Sequence, residues 1–101
     1  AVIVAFDVPL ASVLLFESLV LIAAACHHSN LRLPAAVERF ASRIVVTPSL
    51  HWVHHHAVRA DTDSNYATIL SLWDPLFGTR STTRRTVDLR IGVEGTRDRG
   101  L

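Results

Sequence analysis

"SLHWVHHHAVRADTDSNYATILSLWDPLFGT", residues 49–79, holds four of the chain's six histidines within six positions. His51, His54 and His55 stand at i, i+3 and i+4, and this spacing places side chains on one face of a helix with Cβ atoms about 5–6 Å apart. Imidazole binds Fe, Zn, Cu and Ni, so the spacing predicts a metal site without naming the metal. The adjacent His54 and His55 diverge by about 100° around the helix axis, which favours two metal ions over one.

The sequence before the histidines predicts two short helices. Thr47 is a suitable N-cap and Pro48 a suitable first residue for the helix that carries the histidines of residues 51–56. Upstream, residues 34–46 ("PAAVERFASRIVV") repeat apolar residues at helical spacing. They predict an amphipathic helix that lies on a protein surface or at a membrane interface.

The sequence after the histidines predicts a loop, a helix and a polar tail. "RADTDSN" at 59–65 is mostly polar and typical of a loop. Residues 66–78 resume an apolar helical pattern, which ends at Gly78. The tail, residues 80–101, is rich in arginine, and the alternation in "TVDLRIGV" at 86–93 predicts a short strand.

Residues 8–26 ("VPLASVLLFESLVLIAAAC") are apolar apart from two serines, Pro9 and Glu17. Their length is close to the ~20 residues with which a helix crosses a bilayer. Glu17 divides the stretch, and a carboxylate at mid-bilayer is costly unless it faces protein or water. The segment predicts a transmembrane helix, with a buried or interfacial helix of a soluble protein as the alternative.

Charge is distributed unevenly along the chain. All ten basic residues are arginines, and all of them follow residue 30. An acid-poor apolar half followed by an arginine-rich half is typical of membrane proteins, whose arginines favour the cytoplasmic side. The arginines are interleaved with acids and hydrophobic residues, which argues against a nucleic-acid partner. Cys26 is the single cysteine, so a disulfide framework and a thiolate zinc site are both excluded.

Two further groups of polar residues accompany the histidine cluster. His27 and His28 follow the apolar helix directly, and they either close over a site shared with the downstream histidines or act as a helix cap. Asp63 and Asn65 follow the cluster, and they either accept the second ring N–H of a metal-bound histidine or serve as loop and cap residues. The sequence leaves both alternatives open.

Three features indicate a segment of a longer chain. The sequence contains no methionine, it opens inside the apolar run "AVIVAF", and it ends in "GTRDRGL", which does not resemble a capped terminus. With 101 residues the segment is expected to form at most one domain.

Three motifs in the middle of the chain resemble a known family. They are "HHSNLRLP" at 27–34, "VTPSLHWVHHH" at 46–56 and "TDSNYATILSLWDPLFGT" at 62–79. In this order they resemble the C-terminal part of the fatty acid hydroxylase / sterol desaturase superfamily. The ordered set extends over residues 27–79 and is highly specific as a set.

The resemblance implies an all-α fold, in which a transmembrane helix precedes amphipathic or interfacial helices that carry histidine boxes, followed by an irregular C-terminal tail. The whole chain, residues 1–101, would then be a C-terminal fragment of a fatty acid hydroxylase-type domain. Its parts would be a transmembrane helix over 1–26, a histidine-box region over 27–79 and a polar tail over 80–101.

The resemblance also implies which residues bind metal. Four histidines match ligand positions of the family pattern, namely His28, His51, His54 and His55. Two more, His27 and His56, fall beside the pattern and are further candidates. The next block of the family pattern contains Asp63, Asn65 and Tyr66, which are expected to support the ligands without binding metal themselves.

The chemistry that the resemblance implies is oxidation of a lipid. Two non-haem irons at the cytoplasmic membrane face would use O₂ as co-substrate to hydroxylate or desaturate a lipid of the fatty acid or sterol class. Electrons would come from a ferredoxin or cytochrome b5-like donor and its reductase, because the sequence has no G-x-G-x-x-G motif. The family's earlier boxes, H-x-x-x-H and another H-x-x-H-H, do not occur here. Upstream residues would complete the site, and this fragment alone is expected to be inactive.

Two alternatives belong to other functional classes. One is a non-catalytic membrane or interaction domain that holds zinc on the H-x-x-H-H helix, since zinc takes four ligands in a closed structural site. The other is a soluble hydrolase with a histidine-bound metal and Asp63 as an additional ligand.

Overall fold

The computed structural model describes residues 2–95, and over these residues the chain is helical. The helices are α1 (Val2–Ala5), α2 (Leu10–His27), α3 (Ala35–Ala41), α4 (Pro48–His54), α5 (Arg59–Thr62) and α6 (Trp73–Phe77). No strand forms over residues 2–95, where β pairing is confined to two isolated bridges, Val45 with Leu70 and His56 with Ile91. The predicted all-α fold class is confirmed.

The helix α2 is long and apolar enough to cross a membrane. Its 18 residues rise about 27 Å, close to the ~30 Å hydrocarbon thickness of a bilayer. Within the chain α2 buries only its last residue, His27. The hydroxyl of Ser18 donates to the Leu14 carbonyl at 2.7 Å, so it needs no partner outside the helix.

The first apolar residues form a helix of their own and do not extend α2. Between α1 and α2, Asp7 adopts a positive φ of 48° and Pro9 occupies the N-cap position of α2. Proline lacks an N–H and disfavours helical backbone in the residue before it, so α2 begins after Pro9. The segment predicted as one helix over 1–26 is therefore two helices.

Two predicted helices are shorter than their sequence patterns. The helix predicted over 34–46 ends at Ala41, and the one predicted over 66–78 is helical only over 73–77. The residues that these two helices leave out form hydrogen bonds with each other instead. The N–H of Val46 donates to the Ile69 carbonyl at 2.9 Å, and the N–H of Ser71 donates to the Ile44 carbonyl at 3.1 Å. The β-branched run over 44–46 favours this extended pairing over helix.

The chain after residue 58 departs from its sequence pattern in two further places. The strand predicted over 86–93 is wrong, since this range forms no strand and Ile91 takes part in an isolated bridge with His56. Residues 59–62 of the predicted loop form the one-turn helix α5. Residues 80–95 form neither helix nor strand, in line with the irregular tail that the family resemblance implies, and residues 96–101 lie outside the described part.

The interior between these helices is mainly polar. Val46 and Val53 are the buried hydrophobic residues of the described part. Far more positions there are buried and polar: His27, Ser42, Thr47, Asp61, Ser64, Asn65, Ser71 and Asp74. Hydrogen bonds made by these groups, such as that from the Asn65 amide to the Leu50 carbonyl, help to hold the segments around α4 together.

Candidate metal centre

The helix α4 begins where the sequence predicts. The N–H of Leu50 donates to Oγ1 of Thr47 at 3.3 Å, and Pro48 occupies the first helical position. The Thr47 hydroxyl in turn donates to Oε1 of Glu38 at 2.5 Å, which ties α4 to α3. This N-cap, four residues before His51, fixes the start of α4.

Contacts between the end of α2 and the region of α4 bring further histidines to the cluster. The indole N–H of Trp52 donates to the Ser29 carbonyl at 3.2 Å. In addition, Nε2–H of the buried His27 donates to the Val46 carbonyl at 3.0 Å. These two bonds hold residues on both sides of His28, which therefore lies beside α4.

Three histidines converge at this junction, His28 from the end of α2 and His51 and His55 from α4. Their candidate ligand nitrogens all lie within 4.8 Å of one another. Nε2 of His51 lies 3.2 Å from Nε2 of His28 and 2.9 Å from Nε2 of His55. We call these three residues the histidine triad, and His51 is its centre.

The distances within the histidine triad suit a shared metal ion. An imidazole nitrogen binds a first-row metal at about 2.0–2.1 Å, so neighbouring nitrogens on one ion lie about 3.0–3.4 Å apart. The two Nε2 separations, 3.2 and 2.9 Å, are close to this range. A set of neutral imidazoles suits iron, zinc, copper and nickel alike. The triad thus fits iron, although its donor atoms do not select iron.

Hydrogen bonds at the opposite ring nitrogen orient two of the histidines. Nδ1–H of His28 donates to the Ala24 carbonyl, and Nδ1–H of His54 donates to the Ser64 carbonyl, each at 2.8 Å. A carbonyl only accepts, so each Nδ1 carries the proton and each Nε2 keeps its lone pair. Metal-bound histidines are commonly held in this way.

His27 and His54 flank the histidine triad. The ring centroid of His54 lies 5.8 Å from that of His51 and 5.3 Å from that of His55. The ring centroid of His27 lies 5.0 Å from that of His51, but Nε2 of His27 is engaged by a backbone carbonyl. The structure therefore gathers five of the six candidate histidines, and His54 offers a free nitrogen beside the triad.

The sixth histidine, His56, is engaged by a carboxylate. Its Nδ1–H donates to Oδ2 of Asp61 at 2.7 Å, and Oδ1 of Asp61 accepts from the Ser81 hydroxyl at 2.7 Å. Burial raises the pKa of Asp61, but hydrogen bonds from Ser81, His56 and Thr83 outweigh burial and hold this pKa below its usual range. The charged Asp61 thus anchors His56 to the start of the tail.

The three residues expected to support the ligands lie in different surroundings. Asp63 is exposed and pairs with a nearby arginine instead of a histidine. Asn65 is buried, and its side-chain amide donates to the Leu50 carbonyl of α4 at 3.2 Å. The ring centroid of Tyr66 lies 5.9 Å from that of His54. Asn65 and Tyr66 therefore adjoin the helix and the cluster, and Asp63 does not.

Two structurally important carboxylates are not singled out by the sequence. Asp61, and not Asp63, contacts a histidine, and no local signal separates two acids in the same polar run. Asp74 accepts the backbone N–H of Tyr66 and the Thr79 hydroxyl, at 2.8 and 2.7 Å. Its position near the start of a helix indicates only a capping role.

The surroundings of the histidine triad favour neutral rings. Burial, followed by the neighbouring histidines with His55 first among them, lowers the pKa of His51 from its ordinary value of 6.5 to about 4. Burial, then His54 and His28, also lowers the pKa of His55. Neutral imidazole is the form that binds metal. The centre of the triad is therefore in its metal-binding form at neutral pH.

We expect the His51 ring of the metal-free full-length protein to stay neutral as the pH falls through 6.5 and to take up its proton near pH 4. Its folded-state pKa lies below the unfolded value, so its contribution to stability is present above pH 6.5 and is lost as the pH falls toward 4. Nitrogen-15 NMR of the imidazole rings measures this titration. A midpoint near 6.5 would show that the ring is not buried among other histidines.

An apolar groove of about 910 Å³ lies beside the cluster, between α2 and the chain from residue 66 to α6. The residues of α2 that line it are Phe16, Glu17 and Val20. Tyr66 lines the groove, and its ring also lies beside the ring of His54. The groove therefore leads from the apolar helix to the edge of the histidine cluster.

The described part of the chain defines a class of protein: a helical chain with one helix able to cross a membrane and a histidine cluster where that helix ends. A family model described as fatty acid hydroxylase matches residues 1–79. The chain belongs to this family.

Two curated relatives have names that describe lipid oxidation. Human alkylglycerol monooxygenase is 53% identical over 36 residues, which are 36% of this chain and 8% of that protein. The ornithine lipid hydroxylase OlsE of Rhizobium tropici is 40% identical over 52 residues, which are 52% of this chain and 16% of that protein. The chain thus spans a small part of the length of these relatives. No solved structure matches it significantly.

Proposed function

We propose that this chain is the C-terminal part of a membrane-bound di-iron oxidoreductase that uses O₂ to hydroxylate or desaturate a lipid of the fatty acid or sterol class. The observation that carries the proposal is the convergence of His28, His51 and His55. An apolar groove reaches the flanking His54 through Tyr66. Oxidation of an unactivated C–H bond needs a redox metal, and an apolar chain must be held next to it. The names of the two relatives support a lipid substrate.

Iron would be held here by the histidine triad, with His54 available to a second iron. Bound iron would supply the activation of O₂, which amino-acid side chains do not perform unaided. The histidines of this chain are too few to ligate two irons, so upstream residues of the longer protein would complete the centre. The chain alone is therefore expected to be inactive.

The residues of this chain would prepare the site in three ways. The Ala24 carbonyl keeps the proton of His28 on Nδ1, so its Nε2 faces the triad with a free lone pair. Burial keeps His51 neutral at physiological pH. The apolar groove would hold the lipid chain and exclude water, with Tyr66 at the end nearest His54.

The orientation and the redox partners complete the proposal. All arginines follow α2, and such residues favour the cytoplasmic side, so the histidine cluster would lie at the cytoplasmic face of the membrane. A ferredoxin or cytochrome b5-like donor and its reductase would supply two electrons per turnover. The sequence offers no nicotinamide or flavin motif that would replace them.

The test is to purify the full-length protein and to measure its metals and its reaction with lipids. We expect iron at two per protein, and a hydroxylated or desaturated lipid that forms only when both O₂ and an electron donor are present. Metal analysis and mass spectrometry of the lipid products measure these results. Stoichiometric zinc without iron and without O₂-dependent turnover would contradict the proposal and favour a non-catalytic zinc-binding domain.

A substitution that fills the apolar groove tests its role as the lipid site. Val20→Trp is expected to raise KM for the lipid about tenfold, because the added ring occupies the space of several methylenes, while the iron content stays unchanged. Leu21→Trp is the matched control, since Leu21 is the next residue of α2, is 71% exposed and does not line the groove. Equal changes in KM for both variants would place the lipid elsewhere.

A further inference from the structure

A second groove, of about 700 Å³, lies between α3, the first turn of α4 and residues 80–85. None of the histidines lines it. Its charged lining residues are Glu38, Arg39, Arg80, Arg84 and Arg85. We call it the arginine groove, and its position is separate from the histidine triad.

Two residues that line the arginine groove each carry a buried side-chain atom with no hydrogen-bond partner within the described residues. The two atoms are Oε2 of Glu38, an acceptor, and Nε of Arg85, a donor. Buried polar atoms are nearly always paired, so an unpaired acceptor and an unpaired donor in the lining of one groove call for a ligand that supplies both partners.

The side chains that carry these two atoms are fixed by other contacts. Oε1 of Glu38 accepts from the Thr47 hydroxyl. Nη1 of Arg85 donates to the Leu31 carbonyl at 3.1 Å, and its guanidinium carbon lies 3.8 Å from the centre of the Trp52 ring. The unpaired atoms are therefore held in place before a ligand arrives, which lowers the entropic cost of binding.

The charges of the arginine groove favour a ligand that carries both charges over a simple ion. Burial and Arg32 lower the pKa of Arg85, whereas the charge of Glu38 raises it. A plain cation would be repelled by the surrounding arginines, and a plain anion would leave the Glu38 oxygen unpaired. A molecule with both charges satisfies both groups.

We propose that the arginine groove binds a zwitterion, whose primary ammonium donates to Oε2 of Glu38 and whose phosphate or carboxylate accepts from Arg85 and its neighbouring arginines. The headgroup of a zwitterionic lipid and a soluble zwitterion share this chemistry. A lipid is the source to test first, because α3 exposes Val37 and Phe40, the latter at 68%, and so offers an apolar side to a membrane surface. This site goes beyond the proposed lipid oxidation and requires no iron.

The test measures binding of short-chain lipids to the full-length protein in lipid-free detergent by calorimetry. Dihexanoyl-phosphatidylethanolamine carries a primary ammonium and a phosphate, and dihexanoyl-phosphatidylglycerol carries the phosphate alone. We expect the ethanolamine lipid to bind at least tenfold more tightly. Phosphoethanolamine, which has no acyl chains, distinguishes a lipid ligand from a soluble one. If it binds tightly, the site exists and its ligand is a soluble zwitterion.

Glu38→Gln is the decisive variant, because glutamine keeps an Oε1 that accepts from Thr47 and removes only the charge. It is expected to weaken binding of the ethanolamine lipid at least tenfold and to leave binding of the glycerol lipid unchanged. Asp63→Asn, which removes an exposed charge outside the groove, is the control and should change neither. Arg84 lines the groove and is exposed, so its substitution should not disturb folding. Arg84→Gln should weaken binding of both the ethanolamine lipid and the glycerol lipid.

Two results would overturn the proposal. One is equal affinity for both lipids together with no effect of Glu38→Gln, which would define an anion site. The other is no binding of any of the three probes. The same titrations on His51→Ala protein, whose turnover is expected to be lost, separate failure of this site from failure of the proposed oxidation.

Discussion

Replacing His51 with alanine is expected to remove bound iron from the full-length protein and to lower lipid turnover by at least about 100-fold. Nε2 of His51 is the nitrogen that the other two members of the histidine triad share, at 3.2 Å from His28 and 2.9 Å from His55. Without it, two separated nitrogens remain, and they hold a metal ion far more weakly. Metal analysis and product formation are measured on the same preparation.

The matched control for this loss is His56→Ala. His56 follows the triad directly in the sequence, but its ring is hydrogen-bonded to Asp61. We expect near-normal iron content and some loss of stability, since Asp61 keeps its bond from Ser81 and loses the one from His56. Equal iron loss in both variants would mean that His56 is a ligand and that the assignment of the triad is wrong.

Replacing Asp74 with alanine is expected to lower the free energy of unfolding by about 3–5 kcal/mol. The carboxylate of Asp74 is buried and accepts the backbone N–H of Tyr66 at 2.8 Å, the N–H of Ala67 at 3.2 Å and the Thr79 hydroxyl at 2.7 Å. Alanine would leave three donors without their charged acceptor. Denaturant unfolding of the full-length protein in detergent measures the change.

Asp63→Ala is the control for Asp74→Ala. Asp63 forms an exposed ion pair with Arg59, and such pairs contribute about 0–1 kcal/mol to stability.

Asp74 also positions Tyr66, which lies between the groove and His54. Asp74→Ala should therefore reduce lipid turnover as well. If both variants unfold at the same denaturant concentration, residues 66–79 are held by something other than Asp74.

Features that depend on neighbouring residues were predictable from the sequence. The apolar run at 8–26 predicts α2, and the cap formed by Thr47 and Pro48 predicts the start of α4. The H-x-x-H-H spacing predicts that His51 and His55 lie together, which the structure shows. Each of these features depends on one or two turns of helix, and hydrophobic periodicity and capping act over that distance.

Features that depend on distant partners were not predictable in this way. Residues 66–72 carry an apolar pattern suited to a helix, yet residues 69 and 71 bond to the backbone of residues 44–46. Tertiary hydrogen bonds outweigh a weak local helix preference there. Asp61 and Asp63 are alike in sequence, and only the fold brings Asp61 to His56.

Residue spacing alone predicted an apolar helix able to cross a membrane and a helix that carries a cluster of histidines. The approach of His28 to His51, the apolar groove that ends at Tyr66 and the choice of Asp61 over Asp63 came only from the tertiary structure. The physical reason is the range of the interactions. Helix periodicity and caps act within a few residues, whereas the histidine triad and the apolar groove depend on packing between segments more than twenty residues apart.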